Sequence, residues 1–132
     1  MEIPTTASGE AASVGVVHKR RLETVFILHS DRMGEGDDSL GERLVANFLH
    51  TLSTMEDAPF AIVLYNGAVR LLRSDVPWSE ALRQLQAAGV ELLACVTCLE
   101  HFDLLESMAV GRVSNMREIV RTMLAADRVI TI

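Results

Sequence analysis

Val90-Glu91-Leu92-Leu93-Ala94-Cys95-Val96-Thr97-Cys98-Leu99 joins a short apolar run to a stretch with helical spacing. Val90 to Ala94 reads as a buried strand. Leu99, Phe102, Leu105 and Met108 recur at every third residue, a helical spacing that predicts a helix over 98–108. A strand that is apolar without alternation has both faces covered, as in a parallel sheet between helices. Parallel neighbours need helical crossovers, so the rest of the chain should alternate strand and helix.

It does so in both directions. Thr24 to His29 is a β-rich apolar run, followed by a Gly- and Asp-dense loop, 30–38. Asp38 or Ser39 is the expected N-cap of a helix carrying Leu40, Leu44, Val45, Phe48, Leu49 and Leu52. Phe60 to Tyr65 is a second strand ending at Asn66-Gly67, and Val69 to Leu72 a short extended piece. Pro77-Trp78 opens a second helix that Gly89 closes. Val110 to Val113 is a turn or short strand. Ser114 or Asn115 caps a last helix, and Arg128 to Ile132 is a final β-branched strand. The expected fold is α/β: a three-layer α/β/α sandwich with a mostly parallel five-stranded sheet and right-handed crossovers. Residues 1–23 lack periodicity and read as a flexible tail, leaving one domain over 24–132.

Composition narrows the function classes. The chain has 132 residues, 49% of them hydrophobic, and a net charge of −6. The acidic balance argues against a nucleic-acid binder that neutralises phosphates. Lys19-Arg20-Arg21 reads as a solvated lead-in. No apolar run reaches the ~18 residues of a membrane span, and no signal peptide is indicated. Two cysteines are not a disulfide framework, so a cytoplasmic location fits.

Chemistry should collect at the carboxyl ends of parallel strands. His29-Ser30-Asp31, Asn66-Gly67, Cys95 to Cys98 and Ser114-Asn115 all fall there. A helix N-terminus at Cys95 and Cys98 would lower a thiol pKa from ~8.5 to ~6.5 and favour thiolate. A thiolate attacks a persulfide or disulfide sulfur, and a second thiol resolves the product. Two small core residues would also satisfy the pattern. Cys95, Cys98 and His101 share a metal-type spacing, with His29 as a fourth ligand, but a structural zinc site offers a second ligand pair and none is visible. No metal or other cofactor is expected. A thioredoxin-like motif would come earlier and be followed by a proline, whereas here none follows Pro77. The Gly34 to Gly41 loop is neither a dinucleotide fingerprint nor a P-loop.

Four motifs carry a resemblance: His29 to Gly41 (HSDRMGEGDDSLG), Leu64 to Leu71 (LYNGAVRL), Ala94 to Leu99 (ACVTCL) and Ala109 to Met116 (AVGRVSNM). Together with the closing Ala126 to Ile130 (ADRVI), they resemble the DsrE-like domain of the YedF family, within the DsrE/DsrF/TusD sulfur-relay group. The resemblance implies an α/β/α sandwich and a homo-oligomer, trimer or hexamer. It also implies sulfurtransferase-like relay of persulfide sulfur, or of selenium. Cys95 holds the group's strand-end carrier position and Cys98 is the extra thiol. His29, Asp31, Asn66, Gly67, Thr97 and Asn115 are expected to line the site. YedF chains usually carry a TusA-like domain ahead of this one. Here a separate TusA-like carrier or a cysteine desulfurase is the expected partner. Val96 replaces the usual glycine after the first cysteine, which makes that turn less permissive. A non-catalytic assembly module and a small-ligand binder are the alternatives.

Overall fold

The computed structural model describes residues 20–132. The tail expected over 1–23 therefore lies outside the described residues up to residue 19, and Arg20 to Glu23 belong to the first strand. The elements in chain order are β1 (Arg20–Leu28), α1 (Asp38–Thr54), β2 (Asp57–Leu64), a 3-10 helix (Asn66–Leu72), α2 (Ser79–Ala87), β3 (Glu91–Cys95), α3 (Val96–His101), β4 (Arg112–Ser114), α4 (Met116–Ala125) and β5 (Arg128–Thr131). The sheet order is β4-β3-β2-β1-β5. Every neighbouring pair is parallel, from Arg20↔Asp57 in β1–β2 to Cys95↔Ser114 in β3–β4.

Strand alternation sorts the core into two faces. Leu28, Ile62, Leu64, Leu92 and Ala94 pack with Val45 and Leu49 of α1, Leu82 and Leu85 of α2, and the 3-10 helix. Val25, Ile27, Ala61, Val63, Leu93 and Cys95 face the other way, onto Ile119 of α4. The sandwich is uneven. Ile119 is the only buried residue of α4, while Met116, Val120 and Leu124 of the same helix are exposed.

Local chemistry sets the boundaries. The Asp37 carboxylate accepts from the Leu40 N–H at 2.9 Å, so the α1 cap lies one residue before the expected one. At the end of α2, Gly89 adopts φ 102, and the Val90 and Gly89 N–H groups return to the Leu85 and Gln86 carbonyls. The same closure ends α3 early. Asp103 takes φ 56, its N–H donates to Glu100 O, and Leu104 N–H donates to Leu99 O at 2.8 Å. The helix expected over 98–108 is thus a six-residue one, and Leu105 is exposed. Val69 to Leu72 are not extended. Asn66, at φ 53, turns the chain into a 3-10 helix whose Ala68, Val69, Leu71 and Leu72 are fully buried. The indole N–H of Trp78 donates to Leu71 O and ties that helix to the approach to α2.

Candidate functional site

Parallel register brings the ends of β1, β2 and β3 to one edge of the sheet. Cys95 is the last residue of β3 and the residue on which α3 starts. Its side chain falls on the α4 face of the sheet and is 2% exposed. Cys98 lies one turn along α3, half-buried, and touches both core clusters. Both thiols are free. The Asn66 backbone N–H donates to Cys98 Sγ at 3.0 Å. Asn66 stands just past the end of β2 and opens the 3-10 helix with φ 53.

The electrostatics differ from the expectation of a helix-stabilised thiolate pair. Burial pushes the Cys98 thiol above its ordinary pKa, the Asn66 amide pulls it down, and neighbouring Cys95 pushes it up, with a net upward shift. Cys98 is therefore held more as thiol than a free cysteine at neutral pH.

The residues expected around the cysteines divide into groups. Asn66 meets Cys98 directly, through its backbone. Gly67 and Asp31 sit together, since a Cβ at Gly67 would lie 4.0 Å from the Asp31 backbone N and Oδ1. Asp31 contacts Arg70 Nη1 at 3.7 Å and Arg32 Nε at 3.6 Å. Thr97 is exposed on α3. Asn115 spends its side chain on the α4 cap, accepting from the Glu118 N–H at 2.8 Å. His29 faces a separate cavity of about 530 Å³, together with Ser30, Arg32, Asp38 and Ile132, and neither cysteine lines it. That cavity lies where β1 and β5 adjoin, the point at which the strand order reverses.

Arg70 and Phe102 at this edge, and the Arg112 network towards the start of β3, were not anticipated from sequence. The Arg70 guanidinium lies over the Phe102 ring, 4.2 Å from its centroid. His101 packs edge-on against the same ring at 4.9 Å. Arg112 joins Glu91 and Glu118 at 3.0 and 2.9 Å, and the Ser114 hydroxyl donates to Glu118. Arg112, then Ser114, hold the Glu118 carboxyl below its usual range. Among the described residues, no group of three or more His, Cys, Asp or Glu could hold a metal ion. No helix among them is long and apolar enough to cross a membrane.

A sequence profile of the DsrE/DsrF-like family matches residues 33–132. The chain belongs to the DsrE/DsrF-like family. This family is known for sulfur relay. No curated protein matches the sequence. Among solved structures, this DsrE/DsrF-like chain is similar to the ychN protein from E. coli, at TM-score 0.58 and 21% identity over 84% of this chain and 99% of that one. It is similar also to MTH1491 of Methanobacterium thermoautotrophicum, a protein of unknown function, at TM-score 0.59 and 24% identity over 85% and 98%. BT1422 of Bacteroides thetaiotaomicron, likewise of unknown function, gives TM-score 0.56 and 15% identity over 83% and 95%. These likenesses support the five-stranded parallel fold of the family.

Proposed function

We propose that this protein carries persulfide sulfur on its Cys95/Cys98 pair, as a sulfurtransferase-like relay. The observation that carries the reading is the Asn66 N–H at 3.0 Å from Cys98 Sγ. A half-buried sulfur with a fixed amide donor can hold an anionic persulfide without exposing it to bulk water. The exposure order argues for reversing the roles expected from sequence. Cys98 meets the donor, and Cys95, buried behind it, is the second thiol. A Cys98 persulfide then passes its outer sulfur to an acceptor thiol. Alternatively, Cys95 attacks the inner sulfur, forming a Cys95–Cys98 disulfide and releasing hydrosulfide.

The test is loading by a cysteine desulfurase with cysteine, followed by intact mass measurement. Wild type should gain the mass of one sulfur atom, and the Cys95→Ser/Cys98→Ser variant should not. An unmodified wild type, or a modified double variant, would sink the reading. The YedF-like motifs extend it to a TusA-like carrier as partner and to selenium as alternative cargo, which loading by the desulfurase with selenocysteine in place of cysteine would reveal by mass. The cytoplasm, where free thiols persist, is the compartment that suits it.

A homo-oligomer, trimer or hexamer, belongs to the same reading. The exposed Met116, Val120 and Leu124 stripe of α4 supports it, with Leu124 82% exposed, as do Val129 and Ile130 of the edge strand β5. Light scattering on the purified chain should give a mass above that of the monomer. A second reading, small-ligand binding, rests on the cavity beside His29 and predicts thermal stabilisation by ligand in the Cys95→Ser/Cys98→Ser variant.

A further inference from the structure

Two arginines near the strand ends are held in opposite ways. Arg112 is engaged on all three nitrogens: its Nε, Nη1 and Nη2 donate to Glu91 or Glu118. Arg70 is fixed but unsaturated. Its flat face rests on Phe102 at 4.2 Å. Its contact with Asp31 is 3.7 Å, longer than a hydrogen bond. Among the described residues its guanidinium donates no hydrogen bond, and the side chain is 40% exposed. Stacking fixes the plane of the fork and leaves its edge donors free, the arrangement in which arginine recognises a carboxylate.

Its position relates it to the thiols. The 3-10 helix and α3 touch at two rungs, Asn66 with Cys98 and Arg70 with Phe102. Each rung is four residues on from the last. The Arg70 side chain folds back towards the first rung, because a Cβ on Gly67 would lie 3.6 Å from Nη1. The guanidinium is thus about one 3-10 turn, roughly 6 Å along the axis, from the Cys98 rung. A Cβ at Gly67 would crowd the approach to the guanidinium beside Asp31, and glycine leaves that approach open.

Resting on the persulfide reading above, we infer that Arg70 is a specificity-determining residue that selects a carboxylate-bearing, small-molecule persulfide as sulfur donor to Cys98. The carboxylate binds the free edge of the guanidinium and displaces the long contact to Asp31. The outer sulfur of the donor then reaches Cys98 Sγ beside the Asn66 amide. The Cys98 thiolate attacks that sulfur, the donor S–S bond breaks, and a new S–S bond forms on Cys98. The leaving thiolate takes up a proton, so one thiol and one persulfide exchange places without net oxidation.

The test compares two donors that differ only at the far end: the persulfides of 3-mercaptopropionate and of 2-mercaptoethanol. Single-turnover loading is followed by intact mass. Wild type should load from the carboxylate donor about tenfold faster at low salt, and the ratio should shrink as salt rises. Arg70→Gln should bring the ratio to about one, and Arg70→Lys should retain part of it. Equal loading of wild type from both donors, or an undiminished ratio in Arg70→Gln, overturns the assignment and leaves persulfide carriage standing. The wild-type ratio and its salt dependence decide the matter even if Arg70→Gln fails to fold. If neither donor loads wild type while cysteine desulfurase does, the Arg70 assignment falls and persulfide carriage stands; if the desulfurase also fails, both fall.

Discussion

Ile119→Ala tests whether α4 is what seals Cys95. Ile119 is 0% exposed and is the one fully covered side chain that α4 sets against Val25, Ile27, Ala61, Val63, Leu93 and Cys95. Truncating a buried isoleucine to alanine costs about 2–5 kcal/mol, depending on how far the site can collapse. Here the outer side of the helix is open, since Met116, Val120 and Leu124 are exposed, and α4 can settle inward. That places the expected loss in the lower part of the range, about 2–3 kcal/mol. Urea unfolding gives this directly, with an unchanged slope if the same surface is exposed. The consequence for chemistry follows from the same cluster. If alkylation of Cys95 requires α4 to lift, each 1.4 kcal/mol removed from that opening raises the rate about tenfold. In a Cys98→Ser background, iodoacetamide should therefore label Cys95 roughly 30- to 140-fold faster when Ile119 is alanine. A stability loss below about 1 kcal/mol would refute the packing argument. Full destabilisation with unchanged labelling would show that Cys95 is reached from another side.

Two further outcomes are expected from the electrostatics. Arg112→Ala should cost less than about 1 kcal/mol at neutral pH, because the Glu91–Arg112–Glu118 network is largely exposed. Glu118 is depressed below the ordinary 4.5, so it contributes stability above that value which is lost as pH falls through its folded pKa. Arg112→Ala should accordingly flatten the acid side of the stability profile below about pH 4.5, and an unchanged acid limb would count against the network. Cys98 has the opposite sign. Its raised pKa means stability present below the unfolded thiol value and lost as pH rises through the folded one. In Cys95→Ser, the pH profile of Cys98 alkylation should shift back down towards the ordinary thiol range, since Cys95 is one of the groups pushing it up. No shift on removing Cys95 would show that burial acts alone.

The strands were legible because a parallel sheet writes itself as apolar runs. Ala61 to Leu64 are all fully buried, as an unalternating run requires. The helices were legible only where their ends carry a named cap. Asn115 and Gly89 do, and α4 and α2 fall where expected. The misreadings share one cause. Leu99, Phe102, Leu105 and Met108 keep helical spacing across a break that Asp103 imposes by taking a left-handed conformation usually left to glycine or asparagine. Val69 to Leu72 form an apolar run too short for periodicity to separate strand from helix, and Asn66 decides the matter with a positive φ. In both places one polar residue in the left-handed region redirects the chain, and residue type announces this only weakly.

Those two turns also shape the site. Asn66, just past the end of β2, donates its amide to Cys98, and its positive φ starts the 3-10 helix that carries Arg70. Asp103 ends α3 directly after Phe102, so the ring under Arg70 is the C-cap residue of that helix. The cysteines were visible as a spacing, but which of them is reachable is a matter of strand parity. Cys95 follows Leu93 by two, shares its face, and is covered by Ile119. Cys98 follows one turn along α3, where it packs against both core clusters and meets the Asn66 amide. A single residue inserted between Leu93 and Cys95 would exchange the two faces and bring the strand-end thiol out from under α4. The register of β3 against β4, fixed by Leu93↔Arg112 and Cys95↔Ser114, is therefore as much a determinant of which thiol meets a donor as the cysteines themselves.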